Sequence, residues 1–121
     1  MKFKVAFFAL FVMMLAALLF AVQPTHAQPG PRRIEITAKR FNFTPAEITL
    51  KKGEPVVIVF KSVDVAHGLG FRELGFNVKA SKGQTSEAAF TPTKTGDFVG
   101  QCSVFCGSGH GGMKLKLHVV E

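Results

Sequence analysis

The pattern of apolar and polar positions predicts β-strands along most of the chain. Ile34, Ile36 and Ala38 alternate with polar residues, which is the period of a strand with one buried face. Residues 56–60 form a continuous apolar run, VVIVF, as expected of a central strand. In residues 113–119 the apolar side chains again occupy every second position. These segments are predicted to be the first strand, a central strand and the last strand.

Turn signals separate the predicted strands, and no amphipathic helix of ordinary length follows the first 27 residues. Turns are indicated at Gly53 and at residues 92–96, where Gly and Pro punctuate the pattern. Several short strands with turns between them predict an antiparallel β-sandwich of the Greek-key type. Residues 34–121 are long enough to bury one core, so we expect a single domain after a linker at residues 28–33.

The N-terminal segment has the pattern of an export signal. Lys2 and Lys4 precede an unbroken apolar run of 18 residues, Val5–Val22, and small residues up to Ala27 fit a cleavage site. The run is long for a signal peptide and just long enough to span a bilayer. Residues 1–27 are therefore predicted to be a cleaved signal peptide or, alternatively, a hydrophobic helix that anchors the protein to a membrane. Either interpretation places the rest of the chain in the periplasm or on the extracytoplasmic face of the inner membrane.

Composition adds expectations about the core and the surface. The chain has 13 Phe and neither Tyr nor Trp, so we expect the Phe side chains to lie mostly in the core. The formal net charge is +7, and it is +5 for residues 28–121 once Lys2 and Lys4 are removed. Because the basic residues occur singly or in pairs, they predict a solubilising surface and no nucleic-acid partner.

Soft metal ligands are concentrated in one segment, CSVFCGSGHGGM. It contains Cys102, Cys106, His110 and Met113, which are both cysteines and the one methionine that follows the N-terminal segment. Thiolate, imidazole and thioether together favour copper over hard cations. Met113 has the parity of the inward-facing residues of the last strand, whereas His118 has that of the neighbouring lysines and is expected to face solvent.

The donors also bear on the number of ions. A mononuclear copper site with one Cys, one Met and two His would leave Cys106 unused. Two thiolates four residues apart can instead bridge two ions, with one imidazole each from His67 and His110. Such a binuclear site uses every donor. Asp64, three residues before His67, is expected to accept a hydrogen bond within the site rather than bind metal.

Three alternatives carry less weight. Exported cysteines four residues apart could form a disulfide bond. Two Cys and two His could bind zinc, but that site would not use Met113. The site could also have lost its copper.

The motif GDFVGQCSVFCGSGHGGM resembles the copper A loop of cytochrome c oxidase subunit II, G-x-aromatic-x-G-x-C-x-x-x-C-G-x-x-H-x-x-M. VDVAHGLGF resembles the D-V-x-H segment of that family, and LGFNVKASKGQ resembles the stretch that follows it. The resemblance covers about residues 34–121. It implies an all-β, cupredoxin-like Greek-key β-sandwich, here preceded by the N-terminal hydrophobic helix. It also implies a binuclear copper A centre whose ligands are the side chains of His67, Cys102, Cys106, His110 and Met113 and the backbone carbonyl of Val104.

The resemblance further implies one-electron transfer from a c-type cytochrome or similar redox protein to a terminal oxidase or reductase. On this interpretation the chain alone is not expected to be an enzyme. The alternative function is a periplasmic copper carrier or store, which would need labile, exposed ligands. Among the departures from the family, Val104 stands where Glu is common, and the aromatic patch with Trp has no counterpart. The positive charge predicts a neutral or acidic electron donor.

Overall fold

The computed structural model describes residue 27 and residues 29–121, and these residues form two β-sheets around one core. The strands of this part of the chain are β1 (Arg32–Lys39), β2 (Asn42–Thr44), β3 (Glu47–Lys51), β4 (Val56–Ser62), β5 (His67–Phe71), β6 (Phe76–Ala80), β7 (Thr85–Phe90), β8 (Gly96–Gln101) and β9 (Lys114–Val120). Short 3₁₀ helices occur at Arg72–Leu74 and His110–Gly112. The predicted all-β sandwich is confirmed. The predicted N-terminal helix lies outside the described residues, among which no helix is long and apolar enough to cross a membrane.

The two sheets differ in size, and their inner faces pack against each other. One has the strand order β2-β1-β4-β7, and the other has the order β3-β9-β8-β5-β6. Buried side chains from both sheets form the core, including Phe43, Phe60, Leu69, Leu115 and Leu117. The apolar run in β4 lies between β1 and β7, the central position that its sequence predicted.

The predicted antiparallel arrangement is wrong for two strand pairs. β1 runs parallel to β4, and β3 runs parallel to β9, whereas the other paired strands are antiparallel. After the β1–β2 hairpin the chain crosses into the second sheet at Pro45, forms β3 and returns as β4 beside β1. This return makes β1 and β4 parallel. Alternation of side chains reports burial and not strand direction, so the sequence pattern could not have predicted it.

The first strand begins earlier than the predicted domain boundary at Ile34. Arg32 and Arg33 pair with Val56 and Val57 of β4 and therefore belong to β1 rather than to a linker. Both arginine side chains face solvent, and each contacts a glutamate. The start of β1 could not be recognised from the sequence, because its first two residues are both exposed and only the later residues alternate between buried and exposed positions.

Candidate metal centre

Three strands of the larger sheet end or begin at the same place. β8 lies between β5 and β9, and Gln101 at its end pairs with Gly70 on one side and with Lys114 on the other. His67 begins β5, Cys102 directly follows β8, and Met113 directly precedes β9. Because both neighbours run antiparallel to β8, the sheet itself brings these three residues to one end. The amide N–H of Cys102 donates to the carbonyl of Met113 at 3.2 Å, which closes this end of the sheet.

The other two candidate ligands lie on the compact loop between Cys102 and Met113. Within this loop the amide N–H of His110 donates to the carbonyl of Gly107 at 3.1 Å. The amide N–H of Met113 donates in turn to the carbonyl of His110 at 3.2 Å. These bonds lie at the two ends of the 3₁₀ helix His110–Gly112 and hold His110 beside Cys106.

Every candidate ligand predicted from the sequence lies in one cluster. The two sulfurs, Cys102 Sγ and Cys106 Sγ, are 3.7 Å apart. Each sulfur faces one imidazole and one further donor atom. The distances are 3.9 Å from Cys102 Sγ to His67 Nδ1, 3.1 Å from Cys102 Sγ to the Val104 carbonyl oxygen, 3.7 Å from Cys106 Sγ to His110 Nδ1 and 3.9 Å from Cys106 Sγ to Met113 Sδ. His67, Cys102 and Cys106 are all buried, and their donor atoms lie within 4.8 Å of one another, close enough to share a metal ion.

The two cysteines are not joined by a disulfide bond in this structure, and both are buried. Both cysteines are free, and the separation of 3.7 Å between their sulfurs is well beyond the S–S bond length of about 2.0 Å. Burial, with a further contribution from the neighbouring Cys102, raises the pKa of the Cys106 thiol to about 11. Cys106 therefore carries a proton at neutral pH in the metal-free protein, and metal binding must displace it.

Asp64 fixes the orientation of His67, as the sequence predicted. Its Oδ1 accepts a hydrogen bond from His67 Nε2 at 2.8 Å, and its Oδ2 accepts one from the amide N–H of Arg40 at 2.9 Å. Hydrogen bonds, the largest contribution coming from the Arg40 amide, lower the pKa of Asp64 to about 2. An ionised carboxylate can only accept, so Nε2 carries a proton, and Nδ1 is the nitrogen that faces Cys102.

Glycine at position 68 allows the metal loop to lie directly on β5. A Cβ placed on Gly68 would overlap Ser103 Oγ and would come within 3.2 Å of Val104 Cγ2 and of the Val78 carbonyl oxygen. The amide N–H of Ser103 donates to the Gly68 carbonyl at 3.3 Å, a contact that any larger residue would disturb. The close approach brings the Val104 carbonyl next to Cys102.

His110 is the accessible imidazole of the cluster. His67 is completely buried, whereas His110 is half-buried and lines a groove of about 640 Å³ that also reaches Cys102. The groove opens between β5 and β8, which share a single ladder pair, Gly70 with Gln101.

Phe105 is an exception to the expectation that the Phe side chains lie mostly in the core, as is the less exposed Phe41. Phe43, Phe60, Phe71 and Phe76 are buried, but Phe105 is 79% exposed and its ring centroid lies 5.5 Å from that of His110. The loop geometry explains this difference, because Cys102 and Cys106 both point inward and the residue before Cys106 is turned out.

Sequence reasoning also missed two residues that contact the loop from outside. Arg40 Nε donates to the carbonyl of Cys106 at 2.7 Å. The ring of Phe41 lies against Gly107 and Gly109. Both residues belong to the β1–β2 turn, and no local signal in the sequence connects this turn with a segment 66 residues away.

The sequence match to a known family covers most of the chain. A family model of the cupredoxin-like domain matches residues 11–113. The chain belongs to the cupredoxin-like family. Both the fold and the soft donor set agree with this membership, which supports copper as the metal of the centre.

Relatives of this cupredoxin-like chain include oxidase subunits. It is 32% identical over 90 residues to the probable cytochrome c oxidase subunit 2 of Rickettsia prowazekii (strain Madrid E), a match that covers 74% of this chain and 29% of that protein. The chain thus spans less than a third of that relative's length. The resemblance to subunit II predicted from the sequence is confirmed.

Solved structures with a similar fold include domains and chains of oxidases. The periplasmic domain of subunit II of cytochrome oxidase (CoxB) of Bradyrhizobium japonicum superposes with a TM-score of 0.68 at 24% identity, over 77% of this chain and 87% of that one. At that identity the match establishes the fold. A heme-copper terminal oxidase dimer contains a chain that matches with a TM-score of 0.66 at 26% identity, over 98% of this chain and 92% of that one.

Proposed function

We propose that the protein transfers single electrons through a binuclear copper centre of the copper A type. The observation that carries this proposal is the pair of buried cysteine sulfurs 3.7 Å apart, each facing its own imidazole nitrogen. Two sulfurs at this separation can bridge two ions, and a single ion would leave part of the donor set unused. The proposed ligands are the side chains of His67, Cys102, Cys106, His110 and Met113 and the backbone carbonyl of Val104.

A bound copper pair would supply the redox chemistry, taking up and releasing one electron. The chain's own residues would hold the ligands still while this happens. Three of the ligands are attached to strand ends, and His67 is further held by Asp64. Met113 and both cysteines are buried, so water is excluded from most of the site. Rigid, dry surroundings of this kind keep the ligand geometry constant between oxidation states.

The proposed partners follow from the relatives. Subunit 2 of an oxidase and a chain of a heme-copper terminal oxidase are both similar to this protein, which favours a terminal oxidase as the electron acceptor. A c-type cytochrome or a similar redox protein is the proposed donor. The periplasmic domain from Bradyrhizobium japonicum supports an extracytoplasmic location for this chain as well.

Copper loading of the purified protein tests the proposal. We expect two coppers per chain and an electron paramagnetic resonance spectrum in which one unpaired electron couples equally to two copper nuclei. Cys106→Ser should abolish this spectrum, because one remaining thiolate cannot bridge both ions. A full two-copper spectrum from Cys106→Ser, or a single copper in the unmodified protein, would contradict the binuclear centre.

Val104→Ala is the matched control for the same loop. It retains the backbone carbonyl that is the proposed ligand, so both coppers should remain and the reduction potential should change little. A copper carrier would behave differently from an electron-transfer protein, since it must release its metal. Slow copper loss to a chelator, together with reversible one-electron reduction, distinguishes electron transfer from copper delivery.

A further inference from the structure

The β1–β2 turn contacts both parts of the metal centre at once. The side chain of Arg40 donates from Nε to the carbonyl of Cys106 at 2.7 Å, and its backbone N–H donates to Asp64 Oδ2 at 2.9 Å. Asp64 in turn holds His67 through the 2.8 Å bond to Nε2. Arg40 therefore connects the cysteine loop with the histidine that comes from a distant segment.

The neighbouring Phe41 reinforces this connection by packing on the loop. A Cβ at Gly109 would lie 2.5 Å from the Phe41 ring, and one at Gly107 would lie 3.0 Å from it. Only glycine leaves room for the ring at this distance. The turn thus covers the segment between Cys106 and His110, with a cation at one position and an aromatic ring at the next.

We propose that Arg40 is a positioning residue of the metal centre that also sets its reduction potential. Its hydrogen bond fixes the backbone of Cys106, and its guanidinium places a permanent positive charge beside a cysteine ligand. Reduction adds one negative charge to the centre, and a nearby fixed cation stabilises that form more than the oxidised one. Arg40 would therefore hold the Cys106 sulfur in place and raise the potential. This inference rests on the proposed function.

The experiment compares Arg40→Gln and Arg40→Lys with Arg33→Gln in the full-length, copper-loaded protein. Arg33 is the matched control because it lies on β1, the strand that ends directly before Arg40, forms an exposed ion pair with Glu87 and lies about 20 Å from residue 40 along the chain. Arg40→Gln and Arg33→Gln remove the same charge. We expect Arg40→Gln to raise the oxidised-to-reduced ratio at a fixed applied potential about tenfold, which is about 59 mV for one electron. Copper loss to a chelator should accelerate by about tenfold as well.

Arg40→Lys separates the two parts of the proposal. Lysine keeps the charge but lacks the planar Nε–H, so the potential should stay close to that of the unmodified protein while copper loss still accelerates. Equal shifts of the reduction potential in Arg40→Gln and Arg33→Gln would show that the effect comes from the overall charge of the protein. That result would overturn the inference. An unchanged potential in Arg40→Gln would overturn it too.

A measurement on the copper-free protein keeps the inference testable independently of the metal. Hydrogen exchange at the His110 amide, which bonds the Gly107 carbonyl, should be faster in Arg40→Gln and unchanged in Arg33→Gln. Equal exchange in all variants would show that Arg40 does not position the loop. If the unmodified protein bound a single copper, the binuclear proposal would fail, but this comparison would still decide the role of Arg40.

Discussion

At the scale of single residues, His67 depends on Asp64 for the nitrogen that faces the sulfurs. His67 is completely buried, so water cannot replace the carboxylate as the acceptor for Nε2–H. Without that acceptor, the tautomer with the proton on Nε2 would no longer be favoured over the tautomer with the proton on Nδ1. Residues that hydrogen-bond to a metal ligand in this way typically contribute 10–100-fold to metal affinity.

We predict that Asp64→Asn weakens copper binding about tenfold and that Asp64→Ala weakens it by about 100-fold. Asparagine still offers an oxygen to Nε2–H but lacks the charge, whereas alanine offers nothing. Competition with a copper chelator measures both affinities. Asp97→Asn, a change at an exposed carboxylate that contacts His118, serves as the control and should bind copper normally. Normal affinity in Asp64→Ala would refute the role assigned to Asp64.

Single residues also mark the limit of what the sequence could predict about the site. The spacing from Cys102 to Met113 and the parity of the last strand predicted the candidate ligands of that segment and the inward direction of Met113, whereas Val104 was implied only by the resemblance to subunit II. Arg40 and Phe41 were missed because they reach the loop through tertiary contacts. Phe105 was not singled out, since composition alone cannot tell which aromatic residue a loop turns outward.

At the scale of elements, the strands were predictable where burial alternates and unpredictable where direction matters. β9 alternates between buried and exposed residues as its sequence predicted. The parallel pairing of β3 with β9 could not be predicted from the sequence, because a parallel and an antiparallel pairing would bury the same side chains. The start of β1 was likewise hidden behind two exposed arginines.

The parallel pairing of β3 with β9 has a polar contact on its outer face. His118 of β9 lies between Asp97 of β8, at 2.6 Å from Nδ1, and Glu47 of β3, at 3.1 Å from Nε2. The outward orientation predicted for His118 is confirmed. Hydrogen bonds to Asp97 and then to Glu47 raise the pKa of His118 above its ordinary value. The His118 side chain therefore links three strands of the larger sheet, and the raised pKa favours its charged form.

We predict that this link stabilises the protein at low pH and is lost at high pH. Because the folded-state pKa is raised, the contribution is complete below the unfolded-state pKa of about 6.5 and disappears as the pH rises through the folded-state value. Urea unfolding of the copper-free protein and of His118→Gln from about pH 5 to about pH 9 tests this. The two should differ most at the acidic end and converge at the basic end. A difference that grew with pH would contradict the assignment.

At the scale of the whole molecule, the charge and the exposed aromatic ring indicate how a partner would dock. The part of the chain after residue 27 carries a net charge of +5, and Phe105 projects beside His110. A positive protein attracts an acidic partner and repels a basic one, whereas a neutral partner is not repelled. The apolar ring next to an accessible imidazole offers a contact close to the proposed copper centre.

We predict faster electron exchange with an acidic cytochrome than with a basic one, by roughly tenfold at low ionic strength. The rate with the acidic cytochrome should fall as salt is added, since screening removes the attraction. Stopped-flow measurements across a salt series test this. Phe105→Ala should lower the rate at every salt concentration and leave the salt dependence unchanged, because it removes apolar contact and no charge. A faster reaction with the basic cytochrome that weakens with salt would reveal an acidic docking surface.

Segments that are distant in sequence meet at one end of the sheet, and this affects the stability of the protein with and without metal. His67 and Cys102 are 35 residues apart in sequence, so copper bound to both would act as a cross-link that closes a long stretch of chain. Bound metal stabilises the folded form by mass action. Loss of copper would then remove a clamp as well as a redox group, and the metal-free chain would melt sooner and be digested faster. A shortage of copper would then lower the amount of folded protein as well as the amount of loaded protein.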